Sequence, residues 1–205
     1  MEINFIITAF DKEIYLPHLL GVLASYRKVI AWPTVVYNGS NPDFKCDLRR
    51  PNMGHQHGDH DLTMSGYNHF RTLNDGFRFI KIGIDTFLLD EAMIIHIFET
   101  MERDKCCYAG NHWHWQGDET LSTDIFFLDT RFGNPLNPPH GMERGEGADF
   151  ERWMYLSIRN RKLKWLEIQQ RIPVHPTNRL ECEALKWTMH HQLDRNLDNM
   201  NKWGY

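Results

Sequence analysis

The chain has 205 residues, enough for one sizeable domain, with 41% hydrophobic and 24% charged residues, as in an ordinary globular protein. A formal net charge of -4 with no basic run excludes an electrostatic footprint for nucleic acid. No apolar stretch approaches the roughly 20 residues that span a bilayer, and Met1-Glu2 leads straight into a strand-like run without the basic start of a signal peptide. The expectation is a soluble, cytoplasmic protein. Its four cysteines, Cys46, Cys106, Cys107 and Cys182, fit no zinc-ribbon spacing and are too few for a disulfide framework.

Residues 3–9, INFIITA, read as a β-strand. Asp11 is a candidate helix N-cap, and Leu16, Leu19, Leu20, Leu23 and Tyr26 follow at helical spacing, with Pro17 in the first turn. A second strand over Thr34 to Tyr37 ends in Asn38-Gly39-Ser40. Strand, helix and strand in that order predict a βαβ unit with a parallel sheet. Residues 41–61 are polar, contain the run GHQHGDHD and read as a loop; a helix is predicted from Leu62 to Leu73.

The stretch from Gly66 to Met101 organises the chain. Phe77, Phe79, Ile80, Ile82 and Ile84 form a strand buried on both faces. Asp85 stands at its end, where open α/β sheets place their ligands, and a helix follows from about Leu89. Beyond it, Cys106 to Gly110 reads as a short strand opening into a loop, Asn111-His112-Trp113-His114-Trp115. Thr123 to Leu128 is a strand, and residues 131–147 are a loop rich in proline and glycine. A helix over Asp149 to Ile158, a strand over Leu163 to Ile168 and a closing helix over Glu181 to Leu197 complete the reading. No repeat or domain boundary is visible, so residues 1–205 read as a single domain.

Five separated pieces carry a resemblance: FIITAFDKEIYLPHLLGVLASY, VVYNGSN, KIGIDTFLLDEA, GEGADFERWMY and KLKWLEIQQRIPVHP. In order and spacing the chain resembles the GT-A nucleotide-sugar glycosyltransferases of the family 2 type. The resemblance implies an α/β, Rossmann-like domain with a central, mostly parallel mixed sheet flanked by helices. It implies a donor-binding part over about 1–110 and an acceptor and catalytic part over about 111–205. By that resemblance Thr8, Ala9, Phe10, Asn38 and Gly39 would hold the base and ribose of the donor, a UDP-sugar being favoured. Asn68 and Arg71, on the helix before the central strand, and Gly83 and Asp85, in the place of the DxD motif, would complete the donor site.

Asp85 and His175 would hold Mn²⁺ or Mg²⁺, since a hard cation takes oxygen and imidazole ligands. Asp149 or Glu146 would take the proton from the acceptor hydroxyl in an inverting transfer. Trp113 and Trp115 would stack on a glycan or glycoconjugate acceptor, with His112 and His114 bonding its hydroxyls. The chain departs from the family pattern in three places. Gly83 replaces the first Asp of DxD, Gly147 replaces the second acid of the Glu-Asp pair, and Tyr37 replaces an Asp that often meets the nucleobase. These departures keep a non-catalytic sugar-nucleotide or glycan binder in view.

A rival reading starts from His55-Gln56-His57-Gly58-Asp59-His60, which matches the HxHxDH metal signature of metallo-β-lactamase-like hydrolases. The hydrophobic strand that should precede it is absent. The plainer readings make Asp85 only a helix N-cap and the histidines only a solvated loop.

Overall fold

The computed structural model describes residues 1–10, 13–73, 76–115, 118–137, 150–168 and 188–190, with the backbone alone at 55–56, 86–89, 113–115 and 188–190. Strands β1 (Glu2–Ala9), β2 (Ile30–Tyr37), β3 (Leu48–Arg49) and β4 (Arg78–Gly83) run parallel to one another. β6 (Tyr108–Trp115) and β7 (Asp118–Asp129) form an antiparallel hairpin on β4, and β8 (Trp165–Glu167) pairs parallel to β6. The seven strands lie in the order β3-β2-β1-β4-β7-β6-β8. β5 (Thr86–Leu89) and β9 (Thr188–His190) pair separately.

Period-2 alternation sends each strand's apolar side chains to two faces. Ile3, Phe5, Ile7, Ile80, Ile82 and Phe127 meet helix α1 (Leu16–Ala24) and helix α3 (Glu91–Asp104) through Leu19, Leu23, Ile94, Ile97 and Phe98. Ile6, Val36, Phe79, Tyr108 and Phe126 meet helix α2 (Gly54–Leu73) and helix α4 (Phe150–Asn160) through Tyr67, Phe70, Phe150 and Met154. The central strand is thus buried on both faces, as its unbroken apolar run predicts. Gly66 makes the α2 contact possible: a Cβ there would stand 2.6 Å from Ile6 Cγ2.

The structure corrects four expectations. Residues 54–61 are the first two turns of α2, not a loop, and Asn52 Oδ1 accepts from the Gly54 N–H at 2.9 Å at its start. Residues 111–115 continue β6, because their backbone pairs with Leu121 to Asp118 across the hairpin. The helix after the central strand starts at Glu91, capped by Asp90, whose carboxylate accepts from the N–H groups of Ala92 and Met93. Asp85 is therefore not that helix's N-cap. Thr188–His190, expected within a closing helix, is strand β9, held by the free edge of β5. Among the described residues no helix is long and apolar enough to cross a membrane.

Candidate functional site

The direction of the chain through the sheet reverses at β1. β1, β2 and β3 step outward on one side, and β4 lies on the other. A crevice outside the carboxyl ends of strands at such a switch point is the ligand position of open α/β sheets. Thr8 is level with Gly83. The Ile84 N–H donates to Thr8 O at 2.9 Å, Thr8 Oγ1 donates to Ile82 O at 3.4 Å, and the Asn38 N–H donates to Ala9 O at 3.2 Å. The three strand ends are therefore tied together to their last residues. Thr8, Asn38 and Asp85 are buried polar groups there, whereas Phe10 is half exposed.

Asn38 carries unused hydrogen-bonding capacity. Its Oδ1 is buried and has no hydrogen-bond partner among the described residues, a state that costs about 1–3 kcal/mol unless a donor arrives. Its Nδ2 lies 3.0 Å from where a Cβ on Gly58 would stand, so glycine at 58 lets α2 close on the end of β2. Tyr37 does no ligand work. It is fully buried, donates its hydroxyl to the Glu13 carboxylate, accepts from the Asn41 N–H at 2.9 Å and lies under the Arg49 guanidinium. Gly39 packs directly beneath that Tyr37 ring, where a Cβ would collide with it.

Asp85 sits in the turn after β4, and its carboxylate folds back over Gly83: Oδ1 is 2.7 Å from the point where a Cβ at 83 would be. Glycine in place of the motif's first acid is thus what this Asp85 conformation requires. Among the described residues no three His, Cys, Asp or Glu side chains gather to hold a metal. His175 lies outside the described residues, as do Glu146 and Asp149. Of the two residues expected to hold a cation, Asp85 alone lies among the described residues.

The first half of α2 reaches the same end of the sheet. Lys81, 2% exposed on β4, pairs with Asp59 at 2.7 Å and donates to Thr123 O at 2.5 Å. A buried ammonium so placed needs both partners. The only sequence signal for it is one lysine inside an apolar strand. His60 packs edge-on against Phe150 and Trp153, with ring centroids 5.0 and 5.3 Å away. His57 is exposed. The HxHxDH residues thus lie along a helix, with Asp59 committed to Lys81 and His60 to aromatic packing. Asn68 and Arg71 are exposed on the second half of α2, roughly 15 and 20 Å along its axis from Gly58 at 1.5 Å per residue. The structure does not bring these two to the crevice, because α2 runs from Gly58 beside Asn38 towards the start of β4, where Tyr67 and Phe70 meet Phe79.

Of the residues expected to meet an acceptor, Trp113, His114 and Trp115 lie in β6 opposite Thr120, Glu119 and Asp118; their side chains lie outside the described residues. His112 turns toward α4. Its ring stacks on Tyr155 at 5.7 Å with a 9° tilt and meets Trp165 edge-on at 5.5 Å. The Tyr155 hydroxyl donates to the Glu119 carboxylate, and that bond, with some burial, raises its pKa above the ordinary phenol value. These rings border a cavity of about 280 Å³ that Arg159 and Lys162 also line.

No family model matches this sequence, and no curated protein does. Solved structures do share the fold. A glycosyltransferase involved in the glycosylation of the major capsid of PBCV-1 superposes over 98% of both chains, with a TM-score of 0.55 and 9% identity. A 4-diphosphocytidyl-2C-methyl-D-erythritol synthase covers 97% of this chain and 98% of its own, with a TM-score of 0.51 and 12% identity. CMP:2-keto-3-deoxy-manno-octonic acid synthetase complexed with CTP covers 82% of this chain and 90% of its own, with a TM-score of 0.51 and 10% identity. The chain has the α/β fold of nucleotide-sugar transferase-type proteins.

Proposed function

We propose that this chain is a glycosyltransferase that moves a sugar from a nucleotide-sugar donor to an acceptor hydroxyl. The observation that carries this reading is the crevice between β1 and β4, where Thr8, Asn38 and Asp85 gather as buried polar groups at the strand ends. The fold shared with the capsid glycosyltransferase across nearly the whole of both chains supports it. In this reading the ends of β1 and β2, Thr8 to Phe10 and Asn38 to Gly39, hold the nucleoside. The free Oδ1 of Asn38 accepts a hydroxyl or ring N–H of the donor, and Asp85 accepts hydroxyl hydrogens of the ribose or the transferred sugar. The acceptor oxygen attacks the anomeric carbon, Asp149 or Glu146 takes its proton, and the nucleoside diphosphate leaves with the bonding electron pair. No step here is routed through a metal.

A second reading is favoured by the two synthase-type structures, one of them complexed with CTP. It is nucleotidyl transfer, in which a sugar-borne oxygen attacks the α-phosphorus of a nucleoside triphosphate and pyrophosphate leaves. One experiment separates the two. The protein is incubated with UDP-, GDP- and CMP-sugars, and separately with CTP and sugar phosphates, each with and without Mn²⁺. The glycosyltransferase reading expects slow release of free sugar and nucleotide from a nucleotide-sugar, abolished in Asp85→Asn. Pyrophosphate released only from the triphosphate would replace it with the second. A donor-dependent rise in melting temperature without turnover would leave a non-catalytic binder.

A further inference from the structure

The geometry points to a second binding site, for a single sugar ring carrying a phosphate or carboxylate group, in the cavity between α4 and the β6–β8 edge. The volume, about 280 Å³, is at the small end of ligand pockets. It admits one ring and not a whole nucleotide, so its ligand differs in class from that of the β1–β4 crevice. Aromatic surface supplies its walls: His112 stacked on Tyr155, and Trp165 edge-on to His112. The apolar C–H face of a pyranose packs against aromatic surface of this kind.

Charge decides the rest. Arg159 and Lys162 line the cavity and are exposed. Among the described residues neither forms an ion pair. Glu119, across the hairpin from His114, is engaged by the Tyr155 hydroxyl. Arg159 lies close enough to Tyr155 to hydrogen-bond to it. Lys162 is held at φ 53°, a left-handed turn position, by its own N–H donating to Arg159 O at 3.0 Å. Both side chains belong to the lining of this aromatic pocket. A guanidinium and an ammonium in one lining suit an oxyanion, and a neutral sugar would leave both cations unused. The site is separate from the β1–β4 crevice, since Leu163 in its lining packs against Gly133, just past the end of β7.

The test is isothermal titration of the full chain with glucuronate, glucose 6-phosphate, inorganic phosphate and glucose, in low and moderate salt. At least one anionic sugar is expected to bind more than tenfold tighter than glucose and than inorganic phosphate, and more weakly as salt rises. The double variant Arg159→Gln/Lys162→Gln changes exposed side chains only; it should keep its melting temperature and lose this binding at least tenfold. Trp165→Phe should weaken both anionic sugars while leaving the salt dependence in place. No binding by either anionic sugar, glucose binding as tightly, phosphate alone binding as tightly, or an undiminished double variant would each overturn the proposal. Nucleotide-sugar binding, measured in parallel with Asp85→Asn, reports on the donor crevice independently, so failure at one site is distinguishable from failure at the other.

Discussion

The two ends of the central sheet handle buried polar groups in opposite ways. At the end where β4 begins and β7 finishes, Asp129 is fully buried and pairs with Arg131 at 2.6 Å. Arg131 also reaches Glu102 at 3.0 Å, and Arg78 reaches the same Glu102 at 2.9 Å. The Arg131 guanidinium lies over the Phe77 ring at 4.1 Å. Charges there are spent mainly on one another, with Arg78 Nε left 3.7 Å from Asp129 as an ion pair without a hydrogen bond among the described residues. At the other end Thr8, Asn38 and Asp85 are buried as well, and among the described residues Asn38 Oδ1 has no hydrogen-bond partner. A network closed on itself serves stability, while polar capacity kept at a switch-point crevice serves a ligand. Substitutions at the first end should therefore change folding, and those at the second should change binding.

The largest expected effect is at the closed end. Asp129→Ala leaves the Arg131 cation to Glu102 alone and weakens the hold on Arg78, and should cost roughly 3 kcal/mol in urea unfolding, with nucleotide binding by the folded fraction unchanged. A loss below about 1 kcal/mol would mean that the ion network does not hold that end. At the open end, Asp85→Asn should lower donor turnover on the order of 10²-fold with little change in melting temperature. A destabilisation matching Asp129→Ala would erase the distinction between the ends.

Glycines sharpen the comparison further. Gly66→Ala drives a Cβ to 2.6 Å from Ile6 Cγ2 and 3.0 Å from Val36 Cγ2, and overpacking of that kind costs about 1–3 kcal/mol. Gly83→Ala meets only the tip of the Asp85 carboxylate. Rotation of that side chain should limit the cost to about 0.5–1.5 kcal/mol, while the thermal shift given by a nucleotide-sugar shrinks. The smallest effect appears only in alkali. Cys107, whose carbonyl accepts from the Asp129 N–H at 2.9 Å, has its thiol pushed up to about 12, chiefly by burial. An unfolded thiol ionises near pH 9 and the folded one resists. Stability from this group is therefore complete below pH 9 and drains away as pH rises towards 12. Alkylation of the native protein at pH 8 should spare Cys107, as peptide mapping would check.

How much of this was legible in the sequence varied with the kind of signal. The apolar runs of β1, β2 and β4 and the helical spacing of α1 and α3 were readable, because burial on a regular element repeats at a fixed period. The start of α2 was not. His55 to Asp61 has no apolar stripe, and that segment is anchored from outside, by Lys81 on Asp59, by Asn38 against Gly58, and by Phe150 and Trp153 on His60. The outer half of β6 was hidden because Asn111 to Trp115, though His and Trp alternate in it, is short and polar enough to read as a loop; it is a strand because β7 pairs with it.

The sequence by itself determined the class of the fold, the position of Asp85 just past the central strand and the absence of any segment apolar enough to span a membrane. Those features rest on local periodicity and composition, which act over a few residues. Tertiary structure alone decided that Asn38 is left with an unmet acceptor, that Gly83 makes room for the Asp85 carboxylate, and that Asp59 serves Lys81. It also decided that Asn68 and Arg71 lie away from the crevice, and that His112 joins Tyr155, Trp165, Arg159 and Lys162 around one cavity. Apart from the local contact of Gly83 with Asp85, these depend on residues far apart in the chain, whose distances are set only when the helices close on the sheet.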